Sequence, residues 1–438
     1  MIAALVAAAV AAPPNVVLIF ADDLGIGEVG AYGQQRVPTP NLDRLAKEGT
    51  RFTRFYTASP VCAPSRASLL TGKHTGRSPI RGNKEVGGFD LNTGEGQMPL
   101  PDREKTLAEG FRERGYDTGV FGKWGLGGPA TEGHPNRQGF DEFFGYLCQR
   151  QSHNLYPAYL WHNNQVHLLP KNEYFRAHQR ITTAEATDEG FSKFIGKQFA
   201  EHEIRNQAVR WLEQKRNRPF FLYYASPMPH VALQAPPEEV AKFPEEWDSK
   251  PYLGEGGYLP SKRPRATYAA MISALDQSVG AILDTLRRTN QDENTLIIFT
   301  SDNGPTFAAQ VDRDFFNSAA GLRGTKSTGY EGGIRVPMLV RWPQKVPAGR
   351  VLDQVSYTPD IMPTLASVAG FRTGSHDGQN LLAVWRGGAP TPRKELYFEF
   401  PENNGFQAAI FDDRWKAIRT NLAKGNLKVE VYDLESDP

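Results

Sequence analysis

Apolar residues along the chain follow two patterns that alternate. Val16-Val17-Leu18-Ile19-Phe20 and Leu296-Ile297-Ile298-Phe299 are unbroken runs rich in β-branched and aromatic residues. Such runs read as strands buried on both faces. Phe220–Ala225 and residues 116–121 read as further strands of the same sheet. Between them the apolar positions recur three and four apart, the spacing of a helix face. Leu42, Leu45 and Ala46 define one such face, with Thr39 as the expected N-cap, Pro40 in the first turn and Gly49 as the stop. Leu107 and Phe111 follow Thr106 in a second, and Met271, Leu275, Val279, Ile282 and Leu286 mark a long third over about 266–288. A fourth is predicted around 201–215, and the rest of 149–261 reads as long loops. Helices placed between buried strands predict an α/β fold with a mainly parallel central sheet sandwiched by helices. After Gly370 the pattern changes to short strands near 396–400, 407–412, 415–419 and 429–434, which predict a small C-terminal antiparallel-sheet subdomain.

In parallel sheets ligands bind at the carboxyl ends of the strands. The two most apolar runs end there in Asp22-Asp23 and Asp302-Asn303. All four are hard oxygen donors, a set suited to calcium or magnesium and not to zinc. Taken singly, each pair also reads as a turn or a helix cap. Cys62-Ala63-Pro64-Ser65-Arg66 precedes another apolar helix start, where a cysteine is either an activated thiol or a small buried residue.

Composition narrows the class. Fifty basic and 49 acidic residues leave a net charge of +1, which argues against a nucleic-acid binder. Two cysteines in 438 residues exclude a disulfide framework and a multi-thiolate cluster. Forty-two glycines and 32 prolines imply many loops on a large scaffold. Residues 1–12 are apolar, end in small residues and are too short to span a bilayer. They read as a signal peptide whose usual basic region is missing, through truncation or a misassigned start. No other run is long enough for a membrane span, so an exported protein, periplasmic or secreted, is expected.

The stretch from Cys62 to Gly72 closely resembles the signature of the type I (formylglycine-dependent) sulfatases, Cys-x-Pro-Ser-Arg-x-x-Leu-Leu-Thr-Gly. Further segments similar to that arylsulfatase-like family lie at Asp22-Asp23, Gly122-Lys123-Trp124, Pro229-His230, Ser301-Asp302-Asn303-Gly304 and Gly324-Thr325-Lys326. The resemblance implies an alkaline-phosphatase-like fold, with a catalytic domain over 13–370 and a C-terminal subdomain over 371–438. It implies hydrolysis of sulfate esters through a covalent sulfo-enzyme, on a sulfated small molecule or glycan. Cys62 would be converted to formylglycine by a sulfatase-maturating enzyme. Asp22, Asp23, Asp302 and Asn303, with the modified Cys62, match the ligands of Ca2+. Arg66 matches the arginine that holds the formylglycine hydrate. Lys123 and Lys326 match the lysines on the sulfate oxygens, and His230 the histidine beside the leaving oxygen. The last residues, 431–438, resemble a stretch normally followed by more chain, so the subdomain is expected to continue.

One departure stands out. The family usually has histidine two positions after the first lysine, and here that position is Gly125. His153 is the expected stand-in, as a base or as a substrate-binding residue. Glu331 and Arg335 are expected to brace the lysine loop, and His74 and Arg77 to bond locally. Cys148 is expected to be buried. The aromatic stretch 156–162 either stacks on sugar rings or packs into its own core. Phosphatase or phosphonate hydrolase chemistry on the same fold, non-catalytic binding of sulfated glycans, and ordinary thiol chemistry at Cys62 are the rival readings.

Overall fold

The computed structural model describes residues 12–88 and 94–438; of the expected leader over residues 1–12 only Ala12 is among them. Ten strands form the main sheet: β1 (Asn15–Ala21), β2 (Thr50–Phe52), β3 (Asp117–Lys123), β4 (Glu142–Tyr146), β5 (Tyr159–His162), β6 (Gln165–Leu168), β7 (Phe220–Ala225), β8 (Thr295–Ser301), β9 (Met338–Arg341) and β10 (Arg350–Leu352). Their order is β10-β2-β9-β8-β1-β7-β3-β4-β5-β6. The five central strands, β8 through β4, run parallel, as the apolar runs predict. Strand β9 is antiparallel to both its neighbours, and β5 and β6 form a hairpin that closes the other edge.

Strand β1 shows why its sequence does not alternate. Val17, Ile19 and Ala21 enter one core, and Val16, Leu18 and Phe20 the other. All six are fully buried. Each such aliphatic or aromatic side chain contributes about 1.5–3 kcal/mol of burial. The first core is covered by α1 (Pro40–Glu48), α4 (Ala200–Glu213) and α5 (Pro264–Arg288). The second is covered by α2 (Cys62–Thr71), α3 (Leu107–Glu113) and α6 (Ile361–Ala369). The predicted sandwich is therefore present.

Two local expectations need correction. The Thr39 side chain does not cap α1. Asp276 of α5 does so from outside, accepting the amides of Asn41 at 3.0 Å and Leu42 at 2.8 Å. A carboxylate offers two acceptors and a full charge to the orphan N–H groups, so it outcompetes a hydroxyl. Thr39 accepts from the Gly30 amide instead. The stretch 156–162 contains a strand, not a loop; Tyr156, Tyr159 and Trp161 are buried, so packing takes the rings that sugar stacking would have used. Thr106 does cap α3, in a reciprocal box with Glu109.

The C-terminal sheet is antiparallel in the order β11 (Glu395–Phe400), β12 (Phe406–Phe411), β13 (Trp415–Thr420), β14 (Glu430–Asp433). Phe371, Leu382, Val384 and Trp385 join the second core of the large sheet, before these strands begin. Phe398, Phe406 and Ile418 pack with Tyr56, Val61 and Ile334 in a third core. The small sheet is thus seated against the segments that flank Cys62 and the lysine loop.

Candidate active site

Strands β1 and β8 are parallel neighbours with Ala21 opposite Ser301. That register brings the two acidic ends together. Asp22, Asp23, Asp302 and Asn303 are fully buried. The Asp23 amide donates to Asp302 Oδ1 at 3.0 Å, and Asn303 Nδ2 donates to Asp23 Oδ1 at 2.8 Å. Asp23 takes a left-handed backbone, φ 65°, as the chain turns off the strand.

Cys62 is the first residue of α2, and its thiol donates to Asp22 Oδ1 at 3.4 Å. Arg66 lies one helical turn on, on the same face. Its guanidinium donates to Asp302 Oδ2 at 3.0 Å and to the Lys123 carbonyl at 2.7 Å, and lies 3.4 Å from Asp22. Lys123 ends β3; its ammonium is 2.5 Å from Asp22 Oδ2 and 3.7 Å from the Cys62 sulfur. Lys326, on the loop after Gly324, is 2.6 Å from Asp23 Oδ1 and 3.5 Å from the same sulfur. His230 Nε2 is 3.6 Å from Asp23 Oδ2, and its Nδ1 faces the Val231 carbonyl. The predicted residues therefore converge on one buried point from six separate segments. Three carboxylates and three fixed cations balance there, which is what lets so many charges sit out of water.

These neighbours set the protonation states. Burial, and next the Asp22 carboxylate, push the Cys62 thiol far up. Asp302 is pushed up to about 7 by burial and by Asp22. Asp22 stays well below the usual range: burial opposes this, but Lys123, His230 and Arg66 outweigh it. His230 is lowered to about 4 by burial and by Lys326.

Whether the site suits a divalent cation can be read from its donors. One ligand atom from each of Asp22, Asp23, Cys62 and His230 lies within 4.8 Å of the others. Asn303 Oδ1 is buried and makes no hydrogen bond. A buried, unpartnered amide oxygen beside two carboxylates is an acceptor awaiting a cation. The oxygen-rich set fits Ca2+ or Mg2+. His230 enters this cluster by distance, whereas Asp302 joins through its bond to Asp23.

His153 also reaches the site. Its ring stacks on His230 with centroids 4.7 Å apart and planes 10° from parallel. Nδ1 meets His178 Nε2 at 2.8 Å, and Tyr258 lies against all three imidazoles. A cavity of about 260 Å³ is lined by Cys62, Lys123, Gln149, His153 and His230.

Gly125 has a physical explanation. Its φ is +76°, and a Cβ there would meet Gln149 Cγ at 2.6 Å. The Gln149 side chain fills the space beside position 125, and its buried Oε1 has no partner. Gly125→His is therefore expected to destabilise the protein by about 2–3 kcal/mol, through backbone strain and overpacking. Gln149→Gly in the same chain should recover part of that loss in a thermal unfolding assay. An unchanged midpoint for the single variant would contradict the contact.

Several supporting residues left no trace in the sequence. Asn83 Oδ1 accepts the Ala63 amide at 2.9 Å and so caps α2 from a distant loop. Thr57 donates to the Asp302 carbonyl at 2.6 Å and sits 2.5 Å from Ser65. Glu331 accepts from Tyr56 and from Lys416 of β13, each at 2.8 Å, and lies 3.6 Å from Arg335. Glu331 and Arg335 thus anchor the segment that follows the lysine loop, with an unforeseen partner in the C-terminal sheet. His74 and Arg77 bond to Asp377, and Cys148 is buried.

The sulfatase family profile matches residues 14–371, and that of the N-sulphoglucosamine sulphohydrolase C-terminal region matches 325–438. The chain is 34% identical over 414 residues to the N-acetylgalactosamine-6-sulfatase of Canis lupus familiaris, covering 90% of this chain and 70% of that one. It is 34% identical over 435 residues to Arylsulfatase A of Homo sapiens, covering 93% and 75%. Among solved structures it resembles Ps i-CgsB in complex with k-i-k-neocarrahexaose, with a TM-score of 0.73, 30% identity and coverage of 97% and 87%.

Proposed function

The chain belongs to the sulfatase family and hydrolyses sulfate esters, and on that premise we propose that it removes sulfate from a sulfated carbohydrate, using formylglycine made from Cys62 and a bound calcium ion. One observation carries this reading. Lys123, Lys326 and Asp22 all lie within 3.7 Å of the Cys62 sulfur. A carbohydrate substrate is supported by the N-acetylgalactosamine-6-sulfatase among the relatives and by the k-i-k-neocarrahexaose bound to Ps i-CgsB. Ordinary thiol chemistry fits poorly, because burial and Asp22 keep the thiol neutral.

Asp22, Asp23, Asp302 and Asn303 would hold the cation. When present, the cation draws charge from the sulfate oxygens, and the aldehyde hydrate supplies one hydroxyl for attack at sulfur and a second through which sulfate leaves. The protein's own groups do the rest. Lys123 and Lys326 take the equatorial oxygens and neutralise charge that grows in the transition state. Arg66 fixes both the Lys123 backbone and Asp302, so the groups stay aligned. His230 presents Nε2 to the site because Nδ1 faces the Val231 carbonyl. The negative charge of an entering ester favours the protonated ring, which then gives its proton to the leaving oxygen. His153, stacked on His230 and bonded to His178, lines the same pocket as Cys62 and would serve there as the second base. The carboxyl ends of the large sheet, whose core extends to Trp385, form the catalytic part, and the small sheet from Glu395 onward the supporting subdomain. The apolar leader supports export to the periplasm or beyond, after modification of Cys62 by a maturating enzyme. Among the described residues no helix is long and apolar enough to cross a membrane.

Sulfate release from sulfated sugars, measured beside phosphate release from phenyl phosphate, tests the proposal. Sulfate release should dominate and should fall on chelation of divalent cations. Preference for phosphate would overturn it. For His153→Ala, a burst of alcohol equal to the enzyme concentration is expected, followed by turnover slower by about 10²-fold. Steady turnover with no burst would remove His153 from the proton path.

A further inference from the structure

A second cavity, of about 380 Å³, adjoins the reactive one. The two share Arg150 and His178 in their walls. His178 faces both, since its Nε2 bonds to His153 inside the reactive pocket. The second cavity has an apolar side formed by Pro157, Ala158 and Phe175. Tyr174 stands at it with 57% of its surface exposed. Arg176 is exposed on the same wall, and among the described residues no acidic side chain pairs with it. Arg150, from the other segment, lies 3.9 Å from Glu85.

We propose that this cavity is a second sugar subsite, which takes the residue adjoining the one being desulfated and recognises an anionic group on it. This rests on the carbohydrate reading above and extends it to an oligosaccharide. The chemistry of the walls fits. A pyranose offers an apolar face for a tyrosine and a proline, and hydroxyls at its rim. The Arg176 guanidinium in a concave wall selects an oxyanion, either carboxylate or sulfate, because the planar fork matches both. Attachment to the reactive pocket through Arg150 and His178 means that a single chain would touch both sites. The second contact then adds to the first without a second association cost.

Four probes separate the outcomes: 4-nitrophenyl sulfate, a 6-sulfated N-acetylgalactosamine, its disaccharide with a uronic acid, and the same disaccharide with its carboxylate reduced to the alcohol. A fifth, a disaccharide with a second sulfate in place of the carboxylate, distinguishes the two oxyanions. The expected result is a kcat/KM for an anionic disaccharide at least tenfold above both the monosaccharide and the reduced disaccharide. Arg176→Ala should cut that advantage by about tenfold, mainly through KM, and Arg176→Lys should restore part of it. Equal kcat/KM for the monosaccharide and every disaccharide would overturn the subsite while leaving the sulfatase reading intact. Equal rates for reduced and anionic disaccharides would overturn its charge selectivity. Turnover of the aryl sulfate with none of any sugar would overturn the carbohydrate reading, and the subsite with it.

Discussion

Cys62→Ala is expected to abolish sulfate ester hydrolysis, with a loss of about 10⁴-fold or more in kcat. The fold should survive the change. Cys62 is 1% exposed but small, and its thiol makes only a long contact to Asp22. Asp22 keeps Lys123 and Arg66 as partners. A thermal midpoint within a few degrees of the parent, together with lost turnover, would separate chemistry from folding. Cys62→Ser is the sharper variant. Serine keeps one hydroxyl beside the lysines but has no second hydroxyl, so it should stall after at most one turnover. Mass analysis of the Cys62 peptide in the active parent should show an aldehyde where the thiol was. Sustained turnover by either variant, or an unmodified thiol in fully active protein, would end the proposal for the nucleophile.

Arg66→Leu is expected to act on stability and catalysis together. Arg66 is wholly buried between Asp22 and Asp302. Burial alone would lower its pKa, yet the two carboxylates hold it firmly charged. Removing it leaves those carboxylates without one of their three counter-charges and the Lys123 carbonyl without its donor. Breaking a buried pair in this way costs about 3–5 kcal/mol. The Lys123 strand end should also shift, with a loss of about 10²–10³-fold in kcat/KM. Arg66→Lys should recover some stability but less activity, because an ammonium cannot reach Asp302 and the carbonyl with the same fork. Chemical denaturation and steady-state kinetics on both variants measure the two effects. A leucine variant as stable as the parent would show that the carboxylates find their compensation elsewhere.

Much of this arrangement is written in short stretches of sequence. Strands β1 and β8 are legible because burial on both faces leaves no polar position in their centres, residues 16–21 and 296–299. Their ends are legible because carboxylates seldom follow such runs without a purpose. Cys62 and Arg66 are legible through the resemblance of their segment to a family signature. What escapes is what depends on contacts between distant segments. Strands β2 and β10 have three residues each, too few for any period. The β5–β6 hairpin is hidden because its inner strand is apolar on both faces, Tyr159 and Trp161 on one and Leu160 on the other, and so does not alternate. Asn83 lies 20 residues beyond the amide it caps. Gln149 beside Gly125 belongs to the same class: two residues 24 apart that explain each other only once the backbone is folded.

The bond between Glu331 and Lys416 has a consequence for how the protein is made. Lys326 stands five residues before Glu331, and Lys416 comes from the penultimate strand of the chain. During synthesis, the nucleophile, the acidic strand ends and both lysines leave the ribosome well before the side chain that bonds Glu331, just past the second lysine's loop. A partly made chain therefore carries every reactive group before Glu331 gains its C-terminal partner. Removing β13 and the residues after it is expected to lower kcat while leaving every reactive residue in place, and a truncated chain of unchanged kcat would contradict this.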